Sequence, residues 1–136
     1  MTDMPLKSQE VKKYDLEERT ANFAKRIRSF LKQLSRSPHS KDDFDQLKRS
    51  SGSVAANYIE ANEALGKGDF VMRIRICLKE SKESRLWLTL IELGTSDAAI
   101  MNEHQLLIDE ASQFVRIFSS ILRTATWKAR SLDIGA

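Results

Sequence analysis

Breaks in the helix-compatible pattern of this chain are confined to a few short places, and that scarcity limits what it can fold into. Its 136 residues include only 5 Gly and 2 Pro, the residues that most strongly punctuate regular structure. Between the breaks, apolar residues return at steps of three and four, which stacks side chains on one face of an α-helix. No alternating strand pattern and no internal repeat competes. The sequence therefore predicts an all-α fold, an antiparallel up-down four-helix bundle with short loops.

The expected organisation is a flexible lead-in over residues 1–13, the bundle over 14–130 and a flexible tail over 131–136. Asp15 with Glu18 suggests a capping box at the start of the first helix. Leu16, Phe23, Ile27, Phe30 and Leu34 form its apolar face, and Ser37-Pro38-His39-Ser40 is the loop that follows. A second helix is expected from Asp42 or Asp43 to about Leu65. Phe44, Leu47, Val54, Tyr58, Ala61 and Leu65 lie on its apolar stripe, and the small residues Ser50-Ser51-Gly52-Ser53 form its middle. Gly52 costs a helix interior about 1 kcal/mol relative to Ala; close approach of a neighbouring backbone would compensate. Asp69 is the expected N-cap of a third helix, roughly Phe70 to Glu92, with Ile74, Cys77, Leu78, Ser81, Arg85 and Leu88 inward. Gly94-Thr95-Ser96-Asp97 then breaks the pattern. A fourth helix carries Leu107, Ala111, Phe114, Phe118, Ile121 and Leu122.

The apolar runs are too short to span a bilayer, and Met1–Lys7 lacks the apolar stretch of a signal peptide. A single cysteine, Cys77, excludes an intramolecular disulfide framework. These features point to a cytoplasmic, bacterial protein. The formal net charge of +3 permits nucleic-acid contact without demanding it.

Three segments carry a family resemblance. They are Tyr14-Asp15-Leu16-Glu17-Glu18-Arg19-Thr20, then Arg49-Ser50-Ser51-Gly52-Ser53-Val54-Ala55-Ala56-Asn57-Tyr58-Ile59-Glu60 running on to Ala64, and Asp69-Phe70 followed by Arg73 to Leu88. Together they resemble the 23S rRNA-intervening-sequence proteins, strongly over Tyr14 to Ile91 and by pattern alone in the fourth helix. The resemblance implies an up-down four-helix bundle that assembles as a ring-like homopentamer. Some members are encoded within insertions in bacterial large-subunit ribosomal RNA genes. A related member, the accessory protein of diversity-generating retroelements, binds nucleic acid and a reverse transcriptase through a basic surface. No catalytic residue comes with the family, so the resemblance implies a non-enzymatic protein.

The leading candidate surface is cationic. Lys25, Arg28, Lys32 and Arg36 recur along the first helix opposite its apolar face, with Arg19 and Arg26 nearby; Arg116 and Arg123 on the fourth helix would extend the patch. Such a row suits phosphate contact and salt-dependent binding of RNA or DNA. With no aromatic residues interleaved, binding would follow the backbone and not the base sequence. A charged face opposite a core is also what solvent alone requires.

Met72, Ile76, Trp87 and Leu90 form a second apolar set on the third helix, and a helix apolar on two sides has two things to bury against. They are the candidate oligomer interface. Ser50, Ser53, Asn57, Glu60, Glu63 and Arg85 form a candidate structural network, in which an inward Arg85 requires a carboxylate, Glu60 or Glu63. No cofactor or metal is expected, since Glu60/Glu63 and Glu80/Glu83 lack the histidine partners of a di-iron bundle. Cys77 reads as a core residue. The function expected is a homo-oligomeric bundle that binds RNA or DNA; the alternative is a scaffold for a protein partner without nucleic-acid binding.

Overall fold

The computed structural model describes residues 8–35 and 39–135, with side chains described over 16–35 and 39–127. Its helices are α1 (Ser8–Lys32), α2 (Lys41–Asn62), α3 (Lys67–Leu90) and α4 (Ala98–Gly135), and no strand occurs among the described residues. Most of the periodic residues do what their spacing predicts. Leu16, Phe23, Ile27, Phe30 and Leu34 of the first segment, Phe44, Leu47, Val54, Tyr58 and Ala61 of the second, Ile74, Cys77 and Leu88 of the third, and Leu107, Ala111, Phe114 and Phe118 of the fourth are all buried in one core.

Backbones pack around a ring: α1 on α2, α2 on α3, α3 on α4, and α4 back on α1. The contacts fix direction. Arg19 meets Glu110, whereas Arg26, seven residues further along α1, meets Glu103, seven residues earlier in α4. Likewise Arg28 reaches Ser51 while Glu17 receives Asn62, and Arg49 reaches Glu80 while Asn57 receives Arg73. Adjacent helices therefore run in opposite senses. At the centre, Phe23 meets Phe114 edge to face at 5.3 Å, and Tyr58 reaches across to Phe118 at 5.8 Å.

Helix ends depart from the sequence reading in particular ways. Because α1 begins at Ser8, Asp15 lies inside it and is not its cap. The intervening Ser-Gln-Glu-Val-Lys-Lys contains no glycine or proline, so nothing in it stops upstream helix growth. Residues 1–7 of the lead-in lie outside the described residues. Gly66, in extended conformation at φ −136°, precedes α3 in place of Asp69. Asp69 sits in the first turn, where a carboxylate suits the helix dipole, 3.8 Å from Arg73. α2 stops at Asn62, so Leu65, expected on its apolar stripe, lies beyond its end and is fully exposed. The start of α4 is capped: the Asp97 carboxylate accepts the Ile100 N–H at 3.1 Å. Gly94 takes φ +65° in the preceding connection, a left-handed backbone that glycine adopts without strain. The helix of α4 continues to Gly135, through most of the expected tail.

Candidate nucleic-acid interface

The cations that looked like one patch in sequence divide into two structural classes. Arg19 and Arg26 face the seam between α1 and α4. Arg19 grips Glu110 through Nε and Nη2 at 3.2 and 2.7 Å, and its guanidinium lies 5.4 Å from the centre of the Phe114 ring. Arg26 grips Glu103 in the same two-pronged way at 3.1 and 2.9 Å. The Glu103 hydrogen bonds hold the Arg26 guanidinium above the usual arginine range, against the opposing effect of partial burial. Both arginines are neutralised clamps between helices. They leave the candidate phosphate-contact set for that reason.

Lys25, Arg28 and Lys32 are exposed on the outer face of α1, and no ion pair engages them among the described residues. At 1.5 Å per residue, Lys25 to Lys32 spans roughly 10 Å of helix. Lys25 also borders a depression of about 350 Å³ on the α1–α4 side, lined by Asn22, Arg26, Ser29, Gln33 and Glu103. Arg28 leans the other way, over α2. Its Nη1 donates to the Ala24 carbonyl at 2.9 Å and to Ser51 Oγ at 3.5 Å, and its Nη2 donates to the Lys48 carbonyl at 3.1 Å. Carbonyl acceptors orient the guanidinium without cancelling its charge. Arg36 lies outside the described residues. Arg116 and Arg123 are exposed on α4, and among the described residues no contact joins them to the α1 cations.

The polar network keeps Ser50, Ser53 and Asn57 of those expected, but not Glu60, Glu63 or Arg85. Arg85 is only half-buried, and no ion pair joins it to Glu60 or Glu63, both of which are exposed. The inward register of α3 is Ile74, Cys77, Ser81, Ser84 and Leu88, with Glu80 also buried. That register turns Arg85 aside. The buried carboxylate is Glu80, and its partner is Arg49 at 2.8 Å, which also reaches Glu83 at 3.3 Å. Burial pushes the Glu80 carboxyl up, and the neighbouring Glu83 adds to that; the hydrogen bond with Glu80 pulls Glu83 down, aided by Arg49. Ser84 donates to Ser50 at 2.9 Å in the core, and Asn57 joins Ser53 to Arg73.

The candidate interface residues are divided as well. Met72 and Leu90 are exposed and Ile76 is half-buried, but Trp87 packs against the core. Leu86, not Trp87, stands out from that face at 50% exposure. One further contact went unread in the sequence. His104 stacks on Phe30 with ring centres 5.9 Å apart, and its Nε2 lies 2.6 Å from the Leu88 carbonyl, which requires Nε2 to carry the proton. Among the described residues no group of His, Cys, Asp and Glu could hold a metal ion, and no helix is long and apolar enough to cross a membrane.

The model of the 23S rRNA-intervening sequence protein family matches residues 12–117, most of the chain. The chain belongs to that family. Its fold is similar to the 1.70 Å crystal structure of a Bacteroides thetaiotaomicron protein of unknown function from the S23 ribosomal protein family. The two are 26% identical, the match covers 82% of this chain and 98% of the other, and the TM-score is 0.68. A search of curated proteins finds no match. Family membership thus accounts for the segments that carried the resemblance, and for the bundle they build.

Proposed function

We propose that this bundle is a non-enzymatic cytoplasmic module that binds the phosphate backbone of RNA or DNA through the outer face of α1. One observation carries the reading. Lys25, Arg28 and Lys32 stand exposed in a row with no ion pair among the described residues, while Arg19 and Arg26 on the same helix are each neutralised. Three unpaired cations would displace about three counterions from a polyanion, giving binding that weakens as salt rises. Self-association through Met72, Ile76, Leu86 and Leu90 on α3 would repeat the face around an oligomer, a pentamer on the family expectation, and raise avidity without any new contact per copy.

The test is fluorescence anisotropy of labelled RNA and DNA at low and near-physiological salt. It compares the wild-type protein with the triple variant Lys25→Glu/Arg28→Glu/Lys32→Glu. The reading expects salt-sensitive binding that the variant abolishes while its circular dichroism stays helical; equal binding by both proteins refutes it. A second reading, a scaffold for a protein partner, draws on the exposed Met72, Leu86 and Leu90. It is favoured if the wild-type protein ignores nucleic acid even at low salt.

A further inference from the structure

Gly52 stands in the middle of α2, where a glycine lowers helix stability relative to alanine. It makes no turn and has no unusual backbone angle. What occupies the space beside it is a side chain and not a neighbouring backbone: a Cβ built on Gly52 would lie 3.2 Å from Nη2 of Arg28. That guanidinium lies across the α1–α2 groove, tied to the Ala24 carbonyl on its own helix and to the Lys48 carbonyl and Ser51 hydroxyl on the next.

We propose that Gly52 is a positioning residue whose missing side chain seats Arg28 as the preorganised phosphate anchor of the α1 face. This rests on the nucleic-acid reading above and names the residue that dominates it. A free surface lysine must be ordered when it binds, whereas the Arg28 guanidinium is already held by three hydrogen bonds to two helices. Ordering before binding removes part of the entropy cost of contact. A guanidinium carries five N–H donors, so those three bonds leave two for a phosphate. Because the seat consists of carbonyls and a hydroxyl, the positive charge stays available to the ligand. Lysine cannot reproduce this fork.

The experiment is a double-mutant cycle read by anisotropy with a labelled single-stranded RNA, on four proteins: wild type, Arg28→Ala, Gly52→Leu and the double variant. A leucine at position 52 fills the seat and evicts the guanidinium. Each single change is expected to weaken binding roughly ten-fold, the scale of one charge-assisted hydrogen-bonded contact, and to lower the salt slope by about one. The double variant should bind no more weakly than Arg28→Ala alone. Circular dichroism controls for folding, and Gly52→Ala provides a milder step that raises the melting temperature while binding weakens. If Gly52→Leu weakens binding as much without Arg28 as with it, or leaves the wild-type affinity intact, the seat has no such role. Absence of binding by the wild-type protein overturns the nucleic-acid reading itself, which is a separate result.

Discussion

The seam between α2 and α3 and the seam between α1 and α4 close the same bundle by opposite means. Between α2 and α3 the facing residues are small or polar: Ser50 meets Ser84 at 2.9 Å, the Cys77 thiol lies 3.7 Å from the Val54 carbonyl, and Ser81 bonds its own helix. Small side chains let two backbones approach along most of their length, and every buried hydroxyl there finds a partner. Between α1 and α4 the backbones stand further apart. Phe23 and Phe114 fill the inner part of the gap, while Arg19–Glu110 and Arg26–Glu103 bridge the outer part at partial exposure. Close packing makes the first seam intolerant of added volume. The second relies on long side chains at the surface, where ion pairs contribute little each and are screened by salt.

The largest effect should come from adding volume to the close seam. Ser84→Leu inserts a branched side chain at a fully buried position and strips Ser50 of its donor. It should cost about 3 kcal/mol or more, read as a lowered midpoint in urea. A cost under about 1 kcal/mol would mean that α2 and α3 are not closely packed.

A pH effect of intermediate size follows from Cys77 in the same seam. Burial pushes its thiol up to about 12 from an ordinary 9.0. The folded state thus keeps a proton that the unfolded chain gives up. This contribution is intact below pH 9 and is lost as pH rises from 9 toward 12. Between pH 9 and 10 the wild-type protein should lose roughly 1 kcal/mol more stability than Cys77→Ala. In parallel, the native thiol should react with a maleimide only at the rate of global opening. Rapid labelling at pH 7 would show that the seam opens locally.

The smallest effect belongs to the open seam. Arg19→Gln and Arg26→Gln should each cost about 0.5–1 kcal/mol in low salt, and less in 0.5 M salt. A cost that salt does not change would indicate a tightly packed, desolvated pair.

The same contrast explains what the sequence made legible. Burial of the regularly spaced Phe, Leu and Ile residues follows from period alone, so the four helices and their core could be read directly. The family could be read from the α2 motif. What could not be read was how each charged residue is partnered. Arg19 and Arg28 stand about half a turn apart on α1, and only the helix packed on each flank decides that one meets Glu110 and the other a backbone carbonyl. Glu80 and Arg85 lie at equal angles on either side of the Ser81–Ser84 midline of α3, so a pattern of mixed polarity does not choose between them; the packing buries Glu80 and leaves Arg85 half-buried. The sequence shows that Gly52 needs compensation, but the occupant of its space, a guanidinium, comes from a segment more than twenty residues away.

The central claim is that α1 carries two kinds of cation, structural ones in the open seam and ligand-contacting ones on the outer face. The most direct test is the salt dependence of RNA affinity for Lys25→Gln/Lys32→Gln beside Arg19→Gln/Arg26→Gln. The account predicts that the lysine pair lowers the slope by about two and leaves the melting temperature unchanged. The arginine pair should lower the melting temperature and leave the slope as it was. An equal loss of slope in both variants, or a loss confined to the arginine pair, would contradict it.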